Sequence, residues 1–177
     1  MGRVNCTPWI QRRFHFDFPI GLFPSIVERL RGTPARLEEM LRPLPPRILT
    51  TRAENKWSIQ EHVGHLFDLE ELHEGRISDF LSGAKVLRAA DMENRKTNEA
   101  DHNSKPIERI LQQFRESRER FVGRLELLSE AEIALVSLHP RLGQPMRLVD
   151  MAYFVAEHDD HHLARIRELS RLLLASN

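Results

Sequence analysis

Cysteine is nearly missing: Cys6 is the only one in 177 residues, so no disulfide can close within the chain, and a reducing compartment fits. Long apolar runs are missing too. Nothing approaches the roughly 18 residues that a membrane span needs. Neither sign of charge is in excess. The chain carries 26 basic and 26 acidic residues, a formal net charge of 0, spread without blocks, so no nucleic-acid or membrane-surface partner is indicated. The opening stretch MGRVNCTPWIQRRFHFDFP has no apolar export signal. β-branched clusters are scarce, and no alternating strand pattern competes. The expectation is a cytoplasmic globular protein whose residues 1–177 form one domain.

What is present is helical periodicity. Ile26, Leu30, Leu37 and Leu41 mark a first helix, with a break predicted at GTP (32–34), where Thr33 would cap a second segment starting at Pro34. RPLPPR (42–47) ends it. A second helix is predicted from Trp57 to Leu81, opening near Ser58, with Trp57 as a core anchor at its start. A third follows NSKP, with Ser104 as cap, and carries Ile107, Leu111, Phe114, Phe121, Leu125 and Leu128. The fourth begins after HPRLGQP (139–145) and runs to about Leu174. A polar connection, 82–104, separates the second from the third as a long crossover or partly ordered loop. Four such helices predict an all-α, up-and-down four-helix bundle with a long middle connection.

The last helix carries EHDDHHLARI (157–166). Leu148, Met151, Val155, His158, His162, Ile166, Leu169 and Leu173 form an unbroken inward stripe, so His158 and His162 project from one face, one turn apart. His161 falls at the stripe's edge, about 60° from His158. Two neutral imidazoles buried side by side need a partner for each ring nitrogen. A divalent metal satisfies both, and so would polar groups on facing helices. Met151 and Val155 read as core. In the second helix His62, His65 and His73 are available for a third ligand. The helical wheel puts His62 and His73 nearer the buried centre than His65, and periodicity does not choose between His62 and His65.

The pair of motifs W-S-x-x-E-x-x-x-H-L (57–66) and E-H-D-x-H-H-L-A-x-I (157–166) resembles the DinB-like, or YfiT-like, metalloprotein superfamily. Helix order and the middle connection agree with it over most of the chain. The resemblance implies a four-helix bundle in which His65, His158 and His162 hold one divalent metal, leaving His62 and His161 as supporting residues. A related branch, the thiol-dependent maleylpyruvate isomerases, has a glutamate where this chain has His158, so the chain stands nearer the all-histidine branches.

Three neutral nitrogen ligands leave an ion its full charge and an open position, the arrangement of a catalytic site. The resemblance implies an enzyme that transfers a low-molecular-weight thiol onto an electrophile or carries out a thiol-assisted isomerisation; hydrolase-like activity through metal-bound hydroxide is the further alternative, and no catalytic side chain is assigned. The ion could be zinc, nickel, iron, copper or manganese. The rival is a metal-binding stress or interaction protein with a structural site. Glu61, Asp68, Glu157, Asp159 and Asp160 flank the ligands. They read chiefly as solvated carboxylates, with Asp68 or Asp160 as candidates for orienting a ligand imidazole. His139, in HPRLG (139–143), reads as part of a turn, with a pocket mouth as the alternative. The pairs Glu70/His73 and Glu99/His102 match half of a di-iron site, but the second pair lies in the polar connection, where it should not project into a bundle. Cys6, in a tail expected to be mobile, is a poor nucleophile. Phe154, Leu163 and Leu172 lie outside the stripe and suggest a homodimer, as the resemblance also does.

Overall fold

The computed structural model describes residues 6–54 and 56–175. In chain order the helices are α1 (Phe23–Leu41), α2 (Pro46–Thr50), α3 (Ile59–Asp68), α4 (Glu70–Leu81), α5 (Arg95–Glu99), α6 (Ile107–Glu126), α7 (Glu130–Ile133) and α8 (Leu148–Ala175). α3 and α4 continue one another with a break at Leu69, so four helical rods make a four-helix bundle. α1 packs on α6 and α8, and α3–α4 packs on the same two. Successive rods α1 and α3–α4 therefore stand diagonally, joined through α2.

Only one small sheet is present among the described residues. β1 (Val136–His139) and β2 (Gln144–Arg147) pair antiparallel, with Val136 opposite Arg147 and His139 opposite Gln144. Gly143 closes the turn at φ +63°, a backbone region open to glycine at no steric cost. The sequence pattern missed this hairpin because its exposed positions are Val136 and Leu138 and its covered ones are Ser137 and His139, the reverse of a half-buried strand's apolar-in alternation. The connection 82–104 is ordered: Leu87 N–H donates to the Leu138 carbonyl and Leu138 N–H to that of Lys85.

α1 runs through Pro34 without a break. Pro34 has no N–H to give to the Leu30 carbonyl, and Nη1 of Arg118, from α6, donates to that carbonyl instead, at 3.1 Å. Thr33, expected as a cap, donates its hydroxyl to Asp159 Oδ2 at 2.8 Å. α3 does begin at Ser58, which forms a reciprocal capping box with Glu61. α6 begins after Pro106, two residues later than the Ser104 cap would require.

The core has two apolar clusters stacked along the bundle. One holds Leu30, Ile77, Phe121 and Val155, and the other holds Leu37, Leu66, Phe114 and Ile166. Between them each rod contributes buried polar residues: Thr33 from α1, Asp68, Glu70 and His73 from α3–α4, Arg118 from α6, and His158, Asp159 and His162 from α8. The candidate site lies in this polar belt. Phe154 and Leu163, proposed from the sequence as partner-covered, are only 7% and 4% exposed. The chain covers them itself, Phe154 beneath Trp9 and Phe14.

Candidate metal centre

Three imidazoles from two rods meet at the floor of a cleft of about 500 Å³. His65 comes from α3, and His158 and His162 from successive turns of α8. Each offers a ring nitrogen within 4.8 Å of the others, and all three rings are buried. His158 Nε2 and His162 Nε2 are 3.1 Å apart. Two ring nitrogens sharing one tetrahedral ion at ~2.0–2.1 Å stand roughly 3.3 Å apart, so the donor set fits a divalent ion. Desolvation lowers the pKa of all three, to about 4 for His65 and well below the ordinary value for His158 and His162, with the neighbouring imidazoles adding repulsion in that α8 pair. The rings are neutral at pH 7, as ligands must be.

The proton positions follow from the hydrogen-bond network. His65 Nδ1 donates to Thr97 Oγ1 at 3.0 Å, and Thr97 passes its own proton to Asp68 Oδ2 at 2.9 Å. His102 Nε2 donates to the same carboxylate oxygen at 2.8 Å. Burial raises the pKa of Asp68, but the bonds from His102 and Thr97 outweigh it and hold the carboxyl below its ordinary value. The charged carboxylate thereby fixes the Nδ1–H tautomer of His65 through one hydroxyl and leaves Nε2 with its lone pair facing the cleft. His62 stands beside the cluster, not in it: its Nδ1 is 2.8 Å from His162 Nδ1. Burial depresses its pKa to about 3, so a neutral His62 can accept the proton of His162 Nδ1.

The flanking carboxylates are otherwise engaged. Glu61 pairs with Arg52 and caps α3, bonds that overcome burial and bring its pKa to about 2. Glu157 pairs with Arg12 and Arg29, and Asp160 with Arg29 and Arg36 on the outer face. Asp160 therefore orients no ligand ring. Asp159 is buried against Arg118, which also binds Glu70 at 2.7 Å. With Glu70 committed to Arg118, and His73 Nδ1 3.5 Å from the same carboxylate, no di-iron half-site forms. His102, expected to stay outside the bundle, is 2% exposed and packs on α3.

The cleft walls come from segments without helical periodicity. Trp57, expected in the core, is half-buried and lines the cleft, its ring 4.7 Å from that of His65 and its Nε1 donating to Asn98. Trp9, from the N-terminal stretch, meets the His158 ring edge to face at 4.9 Å. Cys6 is packed as well, its Sγ 3.4 Å from His161 Nδ1. The lining also includes His139, Arg141 and Arg76. His139 lines the cleft from the end of β1, beyond the simple turn that HPRLG suggested. Met151 and Val155 are fully buried core. The sequence held no signal for Thr97 or Trp9, and marked His102 only as half of a di-iron pair, since a polar connection and an N-terminal stretch carry no period from which a facing direction can be read.

The DinB superfamily profile matches residues 29–166. YfiT from Bacillus subtilis, a probable metal-dependent hydrolase with an unusual four-helix bundle topology, superposes with a TM-score of 0.80 at 21% identity over 92% of this chain and 93% of that one. The mycothiol-dependent maleylpyruvate isomerase superposes with a TM-score of 0.65 at 11% identity; 84% of this chain covers 60% of that one. At such identities the likeness is one of fold. No curated protein matches the sequence.

Proposed function

The chain belongs to the DinB superfamily, and from that premise we propose that it is a metal-dependent enzyme that transfers a low-molecular-weight thiol onto an electrophile. His65, His158 and His162 would hold one divalent ion. The observation that carries the reading is the convergence of three buried, neutral imidazoles on an open cleft, with no carboxylate or fourth side chain gathered with them among the described residues. A closed structural site would have four protein ligands. When bound, the ion would lower the pKa of a thiol or of water and so supply a nucleophile at neutral pH.

The protein residues do the rest. Asp68, through Thr97, keeps His65 presenting Nε2, and His62 takes the proton of His162 Nδ1. Trp9 and Trp57 wall the cleft beside His158 and His65. Glu61, Asp68, Glu157, Asp159 and Asp160 all carry hydrogen bonds that commit them elsewhere, so the nucleophile would be ionised by the metal and not by a carboxylate base. Thiol transfer is favoured over hydrolysis by the mycothiol dependence of the isomerase that shares the fold.

The test is elemental analysis of protein purified without an affinity tag, followed by thiol consumption with an epoxide as electrophile. One divalent ion per chain and thiol loss above the buffer rate are expected, both abolished in the His65→Ala, His158→Ala double variant. Full metal content in that variant would remove the site, and metal-loaded protein no faster than buffer with any of cysteine, glutathione or mycothiol would remove the activity.

A further inference from the structure

Besides the three histidines, the cleft lining carries Arg76, buried, and Arg141, half-buried, neither with a carboxylate bonded to it among the described residues. Arg76 is 3% exposed, and its Nε and Nη2 donate to the Arg88 carbonyl. The nearby Asp79 is held by Arg88 and reaches Arg76 only through space. Arg141 lies over the rings of Trp9 and Phe154, at 5.6 and 5.4 Å from their centroids, which fixes its guanidinium against the wall. Its Nη2 is buried with no hydrogen-bond partner among the described residues. Arg118, the other deeply buried arginine, has two carboxylates, so the lack of one here is specific to the cleft.

His139 adds a second unmet donor. Leu142 N–H donates to His139 Nδ1 at 3.2 Å, which leaves the ring proton on Nε2. That atom is buried and has no acceptor, although the residue is only 2% exposed. Burial and the charges of Arg76 and Arg141 push the pKa of His139 down to about 3, so the ring is a neutral donor at any working pH. A buried donor left unmet keeps the whole cost of its lost hydration. Both residues line the cleft together with Arg76, so an anion that enters it is the partner that would meet these donors and the cations beside them.

We propose that Arg141 Nη2 and His139 Nε2–H, together with Arg76, form a carboxylate-binding subsite that holds the acidic end of the substrate in the cleft that carries the metal centre. The substrate class is thus a small organic acid. Two free donors match the two oxygens of a carboxylate. A phosphate would bring more oxygens and more charge than the apolar surroundings of Trp9, Pro140 and Phe154 can satisfy. The inference rests on the reading of this cleft as the active site, but the anion contacts need no metal.

The test titrates succinate, its uncharged twin succinamide, and inorganic phosphate into metal-loaded and chelator-treated protein, followed by tryptophan fluorescence, since Trp9 lies under Arg141. Saturable succinate binding is expected, with succinamide inert. Binding should weaken tenfold or more in Arg141→Gln and in His139→Phe, while metal content stays that of the wild type. His139→Phe keeps the test open if Arg141→Gln does not fold. No saturable response to succinate, equal affinity for succinamide, or unchanged affinity in a folded variant would overturn the proposal. Arg141-dependent binding of phosphate tighter than that of succinate would overturn the substrate class. Arg141-dependent succinate binding by a protein that takes up no metal would leave the subsite standing and remove the metalloenzyme reading.

Discussion

Histidine in an unfolded chain titrates near pH 6.5, whereas burial holds His65 at about 4 and His158 and His162 well below the ordinary value. Between these limits the unfolded chain binds protons that the folded one does not. The stability contributed by the neutral imidazoles is therefore complete above about pH 6.5 and is lost as pH falls toward 4. The metal competes with protons at the folded site only where that site itself titrates. Thermal melts run with metal and with chelator should both decline below pH 6.5, keeping a constant separation to about pH 5 and converging toward pH 4. Unperturbed histidine would place the convergence between pH 7 and pH 5, and that outcome would mean the rings are more hydrated than their burial indicates. At this scale the α8 pair was readable from the sequence, because His158 and His162 occupy consecutive slots of one apolar stripe. The third histidine was not legible in periodicity, and only the Trp-Ser…His-Leu motif pointed to His65. A wheel finds the centre of a buried face from its apolar residues, and the site forms along the flank of α3, where His65 meets α8 while His62, nearer that centre, bonds to His162.

Helix α3 shows how closely an element can be fitted to a segment that has no pattern of its own. A Cβ built on Gly64 would lie 2.3 Å from His102 Cδ2, and His102 cannot retreat: Asp68 holds its ring, and Gln60 holds its carbonyl at 2.5 Å. Gly64→Ala should therefore cost about 1–3 kcal/mol, despite the ~1 kcal/mol that alanine gains over glycine in a helix. Gly75, in α4, provides the control. Its added Cβ would meet Arg88 Nη1 at 2.0 Å, but Arg88 is a half-exposed, flexible side chain that can swing away, so Gly75→Ala should change stability by much less. The urea midpoints of the two variants decide the matter, and equal midpoints would show that His102 is not rigidly held. Helix positions were well marked in the sequence, since α1, α6 and α8 each bury an apolar stripe. The continuity of α1 was not. A proline inside a helix reads as a break unless a distant donor serves the carbonyl it strands, and Arg118 lies 88 residues from Leu30.

At the scale of the whole molecule Arg118 ties all four rods together: the Leu30 carbonyl in α1, Glu70 in α4, Asp159 in α8, and its own α6. Arg118→Met would strand two buried carboxylates and an orphaned carbonyl, and a stability loss of about 3–5 kcal/mol is expected in urea denaturation. A loss below 1 kcal/mol would mean that water reaches the pair in solution. That the chain builds a four-helix bundle could be read from its apolar periods. This junction could not, because its members sit on different rods and off the stripes that reveal them. Its consequence is kinetic. No rod can swing out without breaking a buried bond to this guanidinium, so partial opening of the central turns is penalised in every direction. Amide hydrogen exchange in α1, α4, α6 and α8 near the junction should then proceed through one shared opening event, with the same free energy for all four, while α2, α5 and the hairpin exchange by separate and cheaper local fluctuations.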